Sequence, residues 1–283
     1  LNLLLETLLN SLDWFKTVEQ SFQEEIQVFS NFPTLYMGMV SPDSQLSMYD
    51  GHMRIVDSHR TLVADGLRPQ DYQSYIGEAV ERWSFLKSPY YKPLGYLAGV
   101  YRVGPLARLH VVDRCGTPLA DTELAKFREA DRRSSFHYHY ARLIEMLYAF
   151  ERIEKLLKKP EILSKHVRAF AEPNSFEGVG ASEAPRGTLM HHYTIDEHGI
   201  ITSANLIIAT GHNNRAMNRG VLDAARHFVK DGAFTEGALN RVEAVIRAFD
   251  PCLSCSTHAV GRMPLHMQLV GTDGSLIDEV VRG

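Results

Sequence analysis

The chain has 283 residues, a formal net charge of −4 and a hydrophobic fraction of 45%. That length can bury a large core, and the slight acidic excess argues against nucleic acid or an anionic membrane as partner. No apolar run reaches the ~20 residues that cross a bilayer, and three cysteines, an odd number, make no disulfide scaffold, so a reducing, cytoplasmic compartment is expected.

The opening LNLLLETLLNSLDWF carries Glu6 and Asp13 at amphipathic spacing, with no basic segment ahead of it and no small-residue cleavage site. It reads as a core helix and not a signal peptide. Its start at Leu1, in mid-helix, suggests a chain whose N-terminal portion lies upstream. The first 30 residues are expected to be helical, ending before Asn31-Phe32-Pro33, and residues 33–70 to form short strands and turns. Residues 71–87 (DYQSYIGEAVERWSFLK) read as a helix with Asp71 as its N-cap. Residues 88–120, rich in Gly, Pro and Tyr, read as a long irregular segment packed by aromatics.

The clearest helix spans 134–158, where Phe136, Tyr140, Leu143, Leu147, Phe150, Ile153 and Leu157 recur at three- and four-residue steps until Pro160. His137 and His139 fall on its polar face and are expected to be solvated. A polar loop, AEPNSFEGVGASEAPRG, leads to a hairpin whose arms flank Asp196-Glu197-His198-Gly199. His191 and His192 point to opposite faces of its first strand and cannot both serve one site. Residues 215–230 and 236–249 read as helices, and the tail from Gly261 has a strand-like stretch and a Gly-rich turn. The fold class is therefore α+β, mainly α: a helical core with small β-hairpin and sheet pieces.

The second of those helices ends at Asp250-Pro251, and DPCLSCSTH begins at once. Cys252 and Cys255, three apart, can converge on one ion from a tight turn, and His258 can reach the same ion or a neighbour. A closed zinc site needs a fourth ligand; there is no second cysteine pair, and Cys115 stands alone. A thioredoxin-like pair would place its first cysteine at a helix N-terminus after a strand, whereas this pair follows a helix. Two buried apolar cysteines beside a hydrogen-bonded histidine is the plain alternative. Arg186, between Pro185 and Gly187, sits on a rigid loop, and Thr210 with Gly211 closes an apolar, strand-like run that either lines a pocket or simply turns.

Taken together and in order, YYKPLGYLAGVYRVGPLARL, EAPRGTLMHHY, ANLIIATGHNN and DPCLSCSTH resemble segments of the large subunit of [NiFe]-hydrogenases, most closely the soluble, NAD-reducing (bidirectional) type. The likeness runs from about residue 20 to the end. It implies an Ni–Fe(CO)(CN)2 centre held by four cysteines: Cys252 as terminal nickel ligand and Cys255 as the bridge to iron. It implies His258 on a separate magnesium or other divalent ion. Arg186, its loop set by Pro185, would hydrogen-bond one cyanide, Thr210 would donate to the other, and Asp250 would pair with Arg186. Soft thiolates suit redox nickel, and a guanidinium is a rigid, permanently charged donor to an anion.

The implied activity is reversible, heterolytic H2 oxidation and proton reduction, with the proton taken by the Cys252 thiolate or by Arg186. Electrons would pass to a small subunit carrying an iron–sulfur cluster and on to NAD through flavin-containing diaphorase subunits. This chain has neither a cluster-binding cysteine set nor a Gly-x-Gly-x-x-Gly fingerprint. The family's N-terminal motif, Arg-x-Cys-Gly-x-Cys, is absent, since no cysteine precedes residue 115. The chain is accordingly expected to be the C-terminal part of a large subunit, inactive alone. Residues 259–283 are expected to be an extension that a maturation endopeptidase removes. The rivals are a quinone-binding complex I relative, which lacks the nickel cysteines, and a zinc-stabilised helical interaction protein.

Overall fold

A computed structural model describes residues 2–168, 172–230, 232–256 and 265–282. In chain order, α1 (Asn2–Ser21) and α2 (Gln23–Val28) precede the strands β1 (Leu35–Val40), β2 (His52–Val56) and β3 (Leu62–Leu67). One helical turn, α3 (Tyr72–Tyr75), leads into β4 (Ile76–Val80) and β5 (Lys87–Tyr91). The turn α4 (Gly95–Ala98), the short β6 (Tyr101–Arg102) and the helices α5 (Pro105–Val111), α6 (Pro118–Phe127) and α7 (Tyr138–Leu157) follow. Then come β7 (Glu177–Ala184), β8 (Gly187–Ile195), β9 (Ile201–Ile207), α8 (Ala209–Phe228), α9 (Glu236–Phe249), the turn α10 (Leu253–Ser256), β10 (Leu265–Val270) and β11 (Leu276–Arg282). Helix predominates over strand, and the class is α+β as expected.

The central sheet has the order β3-β2-β1-β6, with β6 parallel to β1 and the other pairs antiparallel. All six residues of β1 are buried. Because side chains alternate along a strand, Tyr36 and Val40 enter the helix-side core with α1 and α5–α9. Leu35, Met37 and Met39 enter a second core with Met53, Ile55, Tyr101 and, from the β7-β8-β9 sheet, Met190 and Ile207. The middle sheet is thus covered on both faces. Gly38 is the close-approach point: a Cβ there would lie 3.1 Å from Val111 Cγ2 and 3.3 Å from Arg108 Cγ, so α5 can rest directly on β1.

The long helices follow their patterns. On α7 the apolar stripe is buried from Tyr138 through Phe150, but Ile153 and Leu157 have left the core and are exposed. Helix α9 buries Leu239, Val242, Val245 and Phe249, and Thr235 Oγ1 caps it by accepting from Ala238 N–H at 3.2 Å.

Four expectations are corrected. Residues 71–87 are one turn of helix followed by the β4–β5 hairpin. Tyr72 and Tyr75 are anchored in the second core, and Gly77, whose missing Cβ leaves room for the Tyr90 ring, pairs across the strands with Tyr90. Residues 88–120 are not irregular: Pro105 and Pro118 open α5 and α6 at their first turns, the position where a helix tolerates proline. The polar stretch before Arg186 is largely strand β7, aligned residue for residue with β8. His137 is 1% exposed, because α1 covers the start of α7 and Glu19 Oε1 lies 3.0 Å from its Nε2.

Candidate metal centre

Helix α9 delivers the cysteine pair. Its last residue hands over to Asp250, which lies in the left-handed region (φ 52°) although it precedes a proline. That conformation costs about 1–2 kcal/mol for a residue with a Cβ and runs against the extended backbone usually imposed before proline. It is held from both sides. Asp250 N–H donates to Arg247 O at 3.0 Å, and Asp250 O accepts from Arg186 Nε at 2.7 Å. The Asp250 carboxylate lies 3.2 Å from the same Nε. Pro251 then prevents the helix from resuming.

The next turn, α10, places residues three apart on one face. Cys252 and Cys255 have Cα atoms 5.5 Å apart and their sulfurs are joined as a disulfide. Reduced, the same turn offers two thiolates to one ion. Cys252 N–H donates to Thr210 Oγ1 at 2.9 Å, and Ser256 Oγ donates to Cys252 O at 3.0 Å, so the loop backbone is fixed independently of the sulfurs. Thr210 is buried. It does not end a strand, as its apolar approach suggested, but stands in the first turn of α8. With its oxygen accepting from Cys252, its own hydroxyl hydrogen has no acceptor among the described residues.

Arg186 occupies the two-residue turn Pro185-Arg186 between β7 and β8, closed by the Ala184–Gly187 pair. Proline at the second position and glycine at the fourth suit such a turn. Gly187 (φ 138°) has no room for a Cβ, which would collide with Val103 Cγ2. The Arg186 side chain is 42% exposed. Its Nε is taken by Asp250, and no partner of its Nη atoms occurs among the described residues, so the outer edge of the fork is open to an acceptor.

Behind the turn lies a buried charge network. Arg108, 1% exposed, pairs with Glu145 at 2.6 Å and Glu183 at 2.7 Å. Burial pushes the Glu183 carboxyl upward, against the pull of Arg108 and the hydroxyl of Thr188. On α8, Asn213 Oδ1 accepts from Val103 N–H at 2.9 Å, and His212 Nδ1 meets Tyr101 Oη at 2.6 Å; burial alone pushes His212 down to about 3 and keeps it neutral.

Cys255 is exposed and lines a cleft of about 390 Å3 with Phe85, Leu86 and Pro89 of the β4–β5 hairpin and Leu206 and Ile208 beyond β8. Arg186 does not line that cleft; it reaches the pair through Asp250. Cys115 takes no part. It is buried, burial pushes its thiol up to about 12, and it lines a different cleft with Gln45, Tyr148 and Arg152. His258 lies outside the described residues. No cluster of three or more His, Cys, Asp or Glu suited to a metal occurs among the described residues.

The residues in hand fit one side of a nickel–iron centre: two soft donors from one turn, and two fixed donors, Arg186 and Thr210, suited to anionic acceptors. Sequence reasoning passed over Arg108, Glu145 and Glu183. Its one available signal was a lone arginine inside the mostly apolar GPLARLHVV, the mark of a charge that must be paired when buried.

The family model described as nickel-dependent hydrogenase matches residues 22–258. The chain is 41% identical over 280 residues to the beta subunit of the NAD-reducing hydrogenase HoxS of Cupriavidus necator, covering 96% of this chain and 57% of that protein. It is 39% identical over 269 residues to an F420-non-reducing hydrogenase chain of Methanothermobacter thermautotrophicus, covering 92% and 56%. A crystal structure of an NAD+-reducing [NiFe]-hydrogenase in the H2-reduced state superposes with a TM-score of 0.84 at 39% identity, over 89% of this chain and 56% of that one. A Ni-Fe-Se hydrogenase from D. vulgaris Hildenborough shares the fold at TM-score 0.59 and 21% identity, over 88% and 57%. The chain spans little more than half the length of these relatives.

Proposed function

The chain belongs to the nickel-dependent hydrogenase family, and from that premise we propose that it is part of the large, catalytic subunit of an NAD-reducing nickel–iron hydrogenase. The observation that carries this reading is the convergence of Cys252 and Cys255 on one turn, with Arg186 and Thr210 each bonded to the backbone that bears them. Cys252 and Cys255, as thiolates, hold one side of the centre, and the remaining ligands come from the rest of the protein. When bound, the nickel–iron centre supplies heterolytic splitting of H2.

The chain's own groups then have defined tasks. The Cys252 thiolate accepts the proton at Sγ, because a guanidinium already carries all its protons. Arg186, immobilised through Nε, presents its Nη hydrogens to an anionic ligand of the iron, and the Thr210 hydroxyl donates to a second. Asp250 holds the guanidinium through Nε. His258 is the candidate ligand of a nearby divalent ion, magnesium in the simplest case. Residues 259–283 are the candidate cleavable extension. Electrons leave to a partner with an iron–sulfur cluster and reach NAD on diaphorase subunits, in keeping with the C. necator relative's name. The same reading puts the complex in the cytoplasm. Among the described residues no helix is long and apolar enough to cross a membrane.

The test is metal analysis and H2-dependent NAD reduction on the whole large subunit, produced with its partners and maturation proteins. In the large subunit separated from its iron–sulfur partner, nickel and iron in equal amounts are expected, with nickel lost in Cys252→Ser and in Cys255→Ser. Zinc alone would overturn the assignment in favour of a zinc-stabilised interaction protein, and nickel retained in both variants would remove Cys252 and Cys255 as its ligands.

A further inference from the structure

We infer that Arg108 is the positioning residue for Arg186: through its buried fork it holds the carbonyls of the two residues that lead into the arginine turn, and so sets where the Arg186 guanidinium stands. The inference rests on the assignment of Arg186 to the metal centre given above.

Arg108 has five N–H donors, and each has an acceptor. Nε and Nη2 donate to the two oxygens of Glu145 at 2.6 and 2.7 Å. Nη1 donates to Glu183 Oε2 at 2.7 Å and to Ala184 O at 2.9 Å, and Nη2 also donates to Pro185 O at 3.1 Å. A buried ion pair serving only to join helices would need the carboxylates alone. Here two of the five bonds go to the backbone of residues 184 and 185, immediately before Arg186.

The carboxylates are themselves fixed. Glu145 stands on α7. Glu183 Oε1 accepts from Met39 N–H at 3.0 Å and from Thr188 Oγ1 at 2.8 Å, so one carboxylate ties β1, β7 and β8 to the fork. The turn is closed from the other side by Gly104 (φ 94°), where a Cβ would lie 2.6 Å from Arg186 O. Arg108 is one helical turn beyond Gly104, and its N–H donates to Gly104 O at 2.8 Å. The loop therefore has a fixed base made of Arg108 and Gly104, and among the described residues its tip is tethered through Nε to Asp250. A lysine at 108 keeps the charge but concentrates three donors on one nitrogen, which cannot span Glu145, Glu183 and two carbonyls together.

The experiment uses the complete, metal-loaded complex. Arg108→Lys, Glu183→Gln, Arg186→Lys and the Arg108→Lys/Arg186→Lys double variant are compared in nickel and iron content, H2 turnover per nickel, and the infrared stretching bands of the iron-bound cyanides. The expected result is metal content as in the parent, turnover per nickel lowered by ~10- to 100-fold for Arg108→Lys, since misplacing a positioned group by about 1 Å has effects of that size, and cyanide bands displaced in the direction seen for Arg186→Lys. The double variant should be no slower than Arg186→Lys alone, because residues acting through one group do not add. Unchanged bands and turnover per nickel in Arg108→Lys, or losses that simply add in the double variant, overturn the inference. If Arg108→Lys does not accumulate, Glu183→Gln, nearly isosteric, decides by the same bands. If Arg186→Lys itself leaves bands and turnover unchanged, the role of Arg186 fails first and the inference with it.

Discussion

Thr210 shows how one small side chain can serve two neighbours. Its oxygen accepts from Cys252 N–H at 2.9 Å, and its hydrogen has no acceptor among the described residues. Valine has nearly the same shape and neither function. Thr210→Val is therefore expected to leave the fold intact and strand a partly buried N–H, a loss of about 1–3 kcal/mol confined to the cysteine loop. In the metal-loaded protein it should also shift one cyanide band, and Thr210→Ser should restore it. A Val spectrum identical to the parent would show that the hydroxyl matters only to the backbone. The assignment of Thr210 to the proposed site comes from ANLIIATGHNN as a resemblance. That its partner is the Cys252 amide was not legible there, because the two are 42 residues apart and only the fold joins them.

At the scale of elements, the site is assembled from the ends of three: the β7–β8 turn, the first turn of α8 and the exit of α9. Gly104 packs against the first of these, since its φ of 94° and its contact with Arg186 O leave no place for a side chain. Gly104→Ala should destabilise the whole protein by about 1–3 kcal/mol, measured by urea unfolding. A crystal structure of the variant should show the Arg186 carbonyl displaced; an unmoved carbonyl would mean that the neighbouring strand gives way instead. Elements with strong period were readable in advance: α1, α7, α9 and the β8–β9 hairpin all lie where apolar spacing put them. The β4–β5 hairpin was misread because IGEAVERW satisfies a helical pattern, and the long-range packing of Tyr72, Tyr75 and Tyr90 overrode it. Strand β7 escaped notice for the converse reason. It buries Glu183, and a buried glutamate makes sense only once Arg108 is known to face it.

Across the whole molecule, buried neutral histidines set the response to acid. Burial pushes His110 and His212 down to about 3, and His139 to about 4, where Arg142 adds to the effect. Unfolded histidines take up protons near pH 6.5, while the folded ones refuse them until the lower value. Between those limits the unfolded state binds more protons, so stability is full above about pH 6.5 and falls as pH drops below it. His110→Phe keeps a ring against Tyr36, which now stacks at 4.1 Å, and removes one titrating group. Its unfolding free energy, measured in urea, should decline with acid less steeply than the parent's, by about 1.4 kcal/mol per pH unit; parallel declines would remove His110 from the account. Glu19 acts in a separate window. Burial raises its carboxyl, but hydrogen bonds from His137 and Arg132 outweigh that and bring it down to about 2. Its contribution is complete above about pH 4.5 and is lost on the way down to 2.

What composition and local spacing settled here was the class of fold and the long helices, because apolar periodicity is a local property. The ordered motifs also pointed to the hydrogenase family. What needed the tertiary structure was which groups stand behind the arginine turn. Arg108, Glu145 and Glu183 are far apart along the chain and unremarkable singly. Only packing removes water from all three, and in that dry setting a charge must find its partners, so the fork acquires its fixed acceptors and the arginine turn its place.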